Sequence, residues 1–217
     1  MNAGLGLLQP YPFERLAKLL RGSKPALDPV IPLTMGEPQH PPPDVAVALL
    51  KEHAELVAKY PATQGRAQLR AAIARWLEKR FVLPSIDPEH HVLPLNGTRE
   101  GLFALAQAVV STHQAGGVIC PNPFYQIYEG AALLAGSQPL LLNCDEHNGF
   151  LPDIDLVTPA QWQHCQLVYL CTPGNPGGAI MPSRQLQRLI ALAHEHHFLI
   201  ATSDCYSSIY PVQPAPP

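Results

Sequence analysis

An α/β domain with a mostly parallel sheet is what this sequence predicts, on three observations. From about residue 90 onward, short apolar runs alternate with helical patterns of ten to fifteen residues. Proline and glycine clusters fall between those segments, where they punctuate loops. A hydrophobic share of 47% with 14% charged residues over 217 positions is the composition of a globular chain that can bury a sizeable core.

The elements follow in order. Residues 13–20 have the spacing of a short amphipathic helix, and 30–35 read as extended. Met35-Gly36-Glu37-Pro38 leads into a stiff loop over 39–43. A helix is expected over 44–58, with Asp44 as its N-cap candidate. A second spans 67–81, where Leu69, Ile73, Trp76, Leu77 and Phe81 recur at helical spacing. An apolar run at 92–95 reads as a strand, 99–111 as a helix, and 117–120 as a strand. Helix 124–135, extended 138–143, strand 167–171, helix 183–197 and strand 198–202 complete the pattern.

Several classes are disfavoured. A net charge of −3 is too mild to suggest nucleic acid or an anionic membrane surface. The opening residues lack a basic region followed by an apolar core, so no signal peptide is expected, and no apolar run approaches membrane-spanning length. Cys120, Cys144, Cys165, Cys171 and Cys205 form an odd set without a C-x-x-C pair, as expected of reduced thiols in a cytoplasmic protein. No G-x-G-x-x-G follows a strand, which argues against a dinucleotide fold. The cluster His194-Glu195-His196-His197 reads as a solvated helix end, where cations suit the dipole, and no metal site is expected.

In an open parallel sheet, ligands collect beyond the carboxyl ends of the strands. Four loops there carry unusual chemistry. Asn96-Gly97-Thr98-Arg99-Glu100 opens a helix with a flexible turn, amides and a hydroxyl, which suits a phosphate; an ordinary cap made by Thr98 is the alternative. Pro121-Asn122-Pro123-Phe124-Tyr125 offers an aromatic ring, either to a ligand or to helix–sheet packing. Thr172-Pro173-Gly174-Asn175-Pro176-Gly177-Gly178 holds one amide side chain between prolines, as a recognition group or a plain rigid turn. Ser203-Asp204-Cys205-Tyr206 adds a carboxylate, for a ligand or for solvent. Together the four fit a phosphorylated heteroaromatic cofactor with a basic ring nitrogen. Pyridoxal phosphate has those parts, and a buried carboxylate beside its nitrogen would keep the ring protonated as an electron sink.

Nearly the whole chain resembles the class I/II, fold-type I pyridoxal-phosphate-dependent aminotransferases. "TPGNPGGAIM" is similar to their Asn-Pro-x-Asn-Pro-Thr-Gly loop and "ATSDCYSSIY" to their Asp-Glu-x-Tyr segment. "YPATQGRAQLRAAIARWL" matches their Tyr-x-x-x-x-Gly-x-x-x-Leu-Arg element. More narrowly, "PYPFERLAKLL", "GEPQHPPP" and "LPLNGTREGLFALAQAV" resemble the N-succinyl-diaminopimelate aminotransferase branch, which serves lysine and diaminopimelate biosynthesis with glutamate and 2-oxoglutarate as the partner pair. The fold implied is a pyridoxal-phosphate transferase-like large domain. Residues 1–40 would be an N-terminal arm and part of a small domain, and 41–217 a partial cofactor-binding domain.

The resemblance also implies roles. Gly97, Thr98 and Arg99 would hold the cofactor phosphate, and Tyr125 would stack on the ring. Asn175 and Tyr206 would reach the phenolic oxygen, and Asp204 would pair with the ring nitrogen. Gly36 would lie where the substrate carboxylate docks. Tyr60 would reach the neighbouring subunit's cofactor, which implies a homodimer with amino-acid and keto-acid substrates.

Two departures stand out. Asp204 and Tyr206 are one residue closer than in the family's motif, which should turn Tyr206 away. The lysine that forms the family's Schiff base lies in a Ser-x-x-Lys setting a few dozen residues past the aspartate. Here the lysines are Lys18, Lys24, Lys51, Lys59 and Lys79, all before the first cofactor loop. The 217 residues are therefore expected to be a truncated form, inactive alone, with no catalytic residue of their own. A related C–S lyase or other amino-acid aminotransferase, and a non-catalytic binding or dimerising module, are the alternatives.

Overall fold

A computed structural model describes residues 2–24, 26, 29–31, 36, 40–111 and 117–209. Most of the extended segment expected at 30–35, part of the 35–43 loop and the proline-rich end at 211–217 lie outside the described residues. Two compact units are present, one of Met1–Leu8, Trp76–Ser85 and Pro94–Pro217, the other of Gln9–Arg75 and Ile86–Leu93.

The larger unit holds the sheet. Among the described residues its strands are β1 (Gly117–Asn122), β2 (Leu140–Asn143), β3 (Cys165–Cys171) and β4 (Leu199–Ser203), in the order β2-β1-β3-β4 with every pairing parallel. Parallel neighbours need crossovers, and helices supply them. α4 (Thr98–Val109) and α5 (Gln126–Leu134) bracket β1, while α6 (Pro159–His164) and α7 (Ser183–His196) bracket β3.

Both sheet faces are covered, so the central strands are apolar throughout instead of alternating. Val118 and Cys120 of β1, Leu167 and Tyr169 of β3 and Ala201 of β4 form one core with Ala106 of α4 and Tyr128, Ala131 and Ala132 of α5. Ile119, Leu142, Val168 and Leu170 form the opposite core with Trp162, Met181, Leu189 and Phe198. Burying each such aliphatic side chain contributes about 1.5–3 kcal/mol. Rings reinforce both cores: Tyr128 stacks on Tyr169 at 4.5 Å and 9°, and Trp162 on Phe198 at 5.2 Å and 14°. Burial pushes the Cys120 and Cys165 thiols up to about 12, which leaves them protonated packing groups.

The first residues also belong here. The turn Ala3–Leu7 lies against α5, where the Asn2 side chain donates to the Leu134 carbonyl at 2.8 Å. Gly4 is buried, and a Cβ there would run into the Leu133 carbonyl oxygen.

In the smaller unit, α1 (Pro12–Leu19) and α2 (Asp44–Glu52) precede a 3-10 turn at Ala54–Ala58. The single helix expected over 44–58 is thus broken at His53, and Pro43 holds the N-cap position with Asp44 in the first turn. α3 (Ala67–Phe81) matches its expected span and begins in this unit, while its residues from Trp76 on belong to the larger one. Its Arg70 is buried and donates to the carbonyls of Gln64 at 3.0 Å, Gly65 at 2.8 Å and Pro88 at 3.1 Å, and to the Glu89 carboxylate at 2.7 Å. Gly65 has φ 73°, a left-handed turn that glycine adopts without a Cβ clash.

Nearby, the exposed His90 ring sits 2.7 Å from the Asp87 carboxylate. The hydrogen bond to Asp87, then its charge, raises the His90 pKa above the ordinary 6.5, and the same bond lowers that of Asp87 below 3.8. The His90 contribution to stability is full below 6.5 and lost as pH rises through the folded value. The Asp87 contribution is present above 3.8 and lost as pH falls through its depressed value. An NMR titration should place the His90 midpoint above 6.5, and Asp87→Asn should bring it back. A wild-type midpoint at or below 6.5 would contradict the pairing.

Candidate functional site

The strand order creates a crevice. β2 lies to one side of β1 and β3 to the other, so the direction in which successive strands are added to the parallel sheet reverses between β1 and β3. Such a switch point, outside the carboxyl ends of the strands, is where open α/β sheets bind ligands. Three of the four loops singled out in the sequence leave from β1, β3 and β4, whose last residues are Asn122, Cys171 and Ser203.

The fourth loop opens α4. Residues 92–97 form no strand, so the apolar run at 92–95 is not the sheet element expected; Pro94 lacks the N–H that a ladder needs. Gly97 is the N-cap residue, and Thr98 is the first helical residue instead of the cap. No side-chain cap bonds at Gly97, and Thr98 and Arg99 are exposed. The first amides of α4 lie at the positive end of a twelve-residue helix, which suits an anion, and the Glu100 carboxylate of the first turn lies against Gly97 there. Arg99 donates from Nε to the Tyr125 hydroxyl at 2.8 Å, so a guanidinium and an aromatic ring meet beside the end of β1.

On the β3 and β4 side, the Asn175 amide donates to the Tyr206 hydroxyl at 3.1 Å. The shortened spacing does not carry Tyr206 away. Residues 205–208 turn instead of continuing as a strand, so the rule that neighbouring side chains alternate faces does not apply there. Asp204 starts that turn, and one of its carboxylate oxygens accepts the Ser207 N–H at 3.3 Å. The aspartate is exposed, not buried as expected, because it lies just past the last residue of β4, the outer strand of the sheet among the described residues.

Behind the turn, the buried Tyr128 hydroxyl is hydrogen-bonded to the Ser203 side chain, and burial pushes the Tyr128 pKa up. The Thr172 hydroxyl accepts the Met181 N–H at 2.9 Å and pins the Asn175 loop at its far side. Sequence reasoning missed Ser203 and Thr172 as supports; a hydroxyl at a strand end gives no signal until its partner is known.

The donor set fits a phosphorylated pyridine. It comprises a helix N-terminus with Glu100 in its first turn, an exposed ring held by an arginine, two side chains that meet at one point, and a carboxylate in the turn that carries Tyr206. Tyr60 is fully exposed in the smaller unit. Gly36 is exposed too, with open space where a Cβ would stand.

Comparison with known proteins points the same way. The family model described as aminotransferase class I and II matches residues 28–214. An LL-diaminopimelate aminotransferase of Aquifex aeolicus (strain VF5) is 32% identical over 215 residues, covering 98% of this chain and 55% of that protein. One from Oleidesulfovibrio alaskensis is 31% identical over 208 residues, covering 95% and 53%. Among solved structures, an aminotransferase from Neisseria meningitidis Z2491 gives a TM-score of 0.89 at 38% identity, over 97% of this chain and 54% of that one. Aminotransferase AspB from Helicobacter pylori 26695 gives 0.89 at 34% identity, over 97% and 55%. The chain spans about half the length of the curated relatives it matches.

Proposed function

Since the chain belongs to the class I and II aminotransferases, whose cofactor is pyridoxal phosphate, we propose that it forms the cofactor bed of an enzyme acting on a diaminopimelate-type amino acid. The observation that carries the reading is the meeting of Asn175 and Tyr206 at 3.1 Å, with Asp204 starting the same turn, beyond the strand ends of a sheet whose order reverses between β1 and β3.

Each residue then has a task. Gly97, Thr98 and Arg99 bind the phosphate with amides, hydroxyl and charge, at the helix end where an anion is most favoured. Tyr125 covers one ring face, and its bond to Arg99 fixes its tilt. Asn175 and Tyr206 bind the phenolic oxygen as paired donors. Asp204 holds a proton on the ring nitrogen, aided as the bound ring displaces water from the carboxylate. When bound, the cofactor supplies an electron sink for the substrate carbanion.

The finer assignments are part of the same proposal. N-succinyl-diaminopimelate with glutamate and 2-oxoglutarate is the substrate reading drawn from the sequence motifs. Free LL-diaminopimelate is a second reading, favoured by the names of the curated relatives. Tyr60 serves a neighbouring subunit's phosphate in a cytoplasmic homodimer, and Gly36 lies near the substrate carboxylate. Residues 1–40 act as an arm and small-domain portion, and 41–217 as the partial cofactor domain. Among the described residues no helix is long and apolar enough to cross a membrane.

No lysine follows Lys79, so these 217 residues supply a bed for the cofactor without the family's covalent anchor and proton-transferring amine. The purified chain with pyridoxal phosphate, glutamate and a keto acid should show no turnover above free cofactor. Turnover above that background would overturn the inactive reading. The substrate reading is tested on a form carrying a lysine-bearing continuation, with succinylated and free diaminopimelate compared as donors to 2-oxoglutarate. Equal or better use of aspartate would count against both.

A further inference from the structure

We propose that Arg80, at the end of α3, is a positioning residue for Asp204 and acts through Ser207. The inference rests on the reading of Asp204 as the partner of the cofactor's ring nitrogen. Nothing in the sequence motifs singles out Arg80.

The chain of contacts is short and lies within the larger unit. The Arg80 guanidinium donates from Nη2 to the Ser207 carbonyl at 3.3 Å. Ser207 is buried, and its N–H donates to the Asp204 carboxylate at 3.3 Å. A single peptide residue is thus gripped on its carbonyl by a cation and turned so that its amide faces the aspartate.

Arg80 is itself held. Its guanidinium carbon lies 5.1 Å from the centre of the Phe81 ring, and Phe81 meets Trp76 edge-to-face at 5.9 Å. At the other side of the turn, the Ser203 hydroxyl is bonded to Tyr128 and lies 3.4 Å from the Cys205 sulfur. The residues on both flanks of Asp204 are therefore tethered, one by Tyr128 and one by Arg80. A carboxylate that begins an exposed turn would otherwise sample several orientations, and binding would have to restrict them.

Two readouts test this without turnover. The first uses pyridoxine 5′-phosphate, which carries the ring and phosphate but no aldehyde to react with surface lysines. Calorimetric titration of the chain should show Arg80→Met weakening affinity about 5- to 10-fold. Asp204→Asn should weaken it by a similar factor, and the double variant should lose no more than about twofold beyond either single one. Arg80→Lys, which keeps a cationic donor, should recover part of the loss. Full native affinity in Arg80→Met, or losses that simply multiply, would overturn the proposal.

The second readout needs no cofactor. Cys205 is exposed in the same turn, so its alkylation rate, followed by peptide mapping, reports how tightly the turn is held. The rate should rise about threefold or more in Arg80→Met and stay near native in Arg80→Lys. An unchanged rate in Arg80→Met would overturn the tether, and if that variant fails to fold, Arg80→Gln carries the same comparison. No binding by the native chain would overturn the cofactor reading, and with it the purpose assigned to Arg80, even where the alkylation rates show a tethered turn.

Discussion

Arg70→Met is expected to destabilise the smaller unit by about 3 kcal/mol. The residue is 6% exposed and its side chain serves four acceptors, three of them loop carbonyls. Methionine fills much of the volume but donates to none of them, leaving the Gln64, Gly65 and Pro88 carbonyls short of this partner. A hydrogen bond to a charged group contributes about 1.5–3 kcal/mol, and four sharing one side chain add less than their sum. Arg70→Lys should recover less than half, since one ammonium cannot span acceptors that the planar fork reaches together. Denaturant unfolding, with hydrogen exchange at 62–70 and 87–91, would measure the loss. A methionine variant within about 0.5 kcal/mol of native would sink the assignment.

Tyr169→Ala should cost the larger unit about 3–5 kcal/mol, and Tyr169→Phe about 1 kcal/mol. The ring lies in the middle of β3, stacked on Tyr128, with its hydroxyl donating to the Leu102 carbonyl at 2.7 Å and so joining the sheet to α4. Alanine removes the stacking surface and leaves a cavity between layers that cannot collapse freely. Phenylalanine keeps the packing and loses only the hydrogen bond. The denaturation midpoints should fall in that order with little change in slope. Equal stability of the alanine and phenylalanine variants would show that the ring is not the source of the cohesion.

Much of this was legible in the sequence because sheet periodicity and loop chemistry are local signals. The strands starting at 117 and 199 were readable from apolar runs bounded by glycine, proline and polar residues. The site loops stood out because Thr172–Gly178 and Asn96–Glu100 concentrate residues that core packing does not require. Other features were hidden for physical reasons. α6 is six residues long, too short to show a period, although Thr158 and Gln161 form a capping box and Pro159 opens it. Asp44 and Thr98 looked like caps by residue type, yet each lies one position inside its helix. The expectation that the shorter spacing turns Tyr206 away was not met, because spacing alone does not tell how the loop after a strand folds, and residues 205–208 turn so that Tyr206 meets Asn175. The work of Arg70 and Arg80 was invisible because carbonyls and buried amides leave no mark on composition.

The seat of the first residues against α5 has a consequence for the order of folding. Asn2 bonds to Leu134, 132 positions along the chain, and Gly4 fits beneath the Leu133 carbonyl. On a ribosome, this segment therefore waits for a helix made more than a hundred residues later before it can dock. Closing so long a loop carries an entropic cost that local contacts do not offset in advance. The Ala3–Leu7 turn should accordingly gain hydrogen-exchange protection only after α5 has formed, so that a segment synthesised well before α5 becomes native after it.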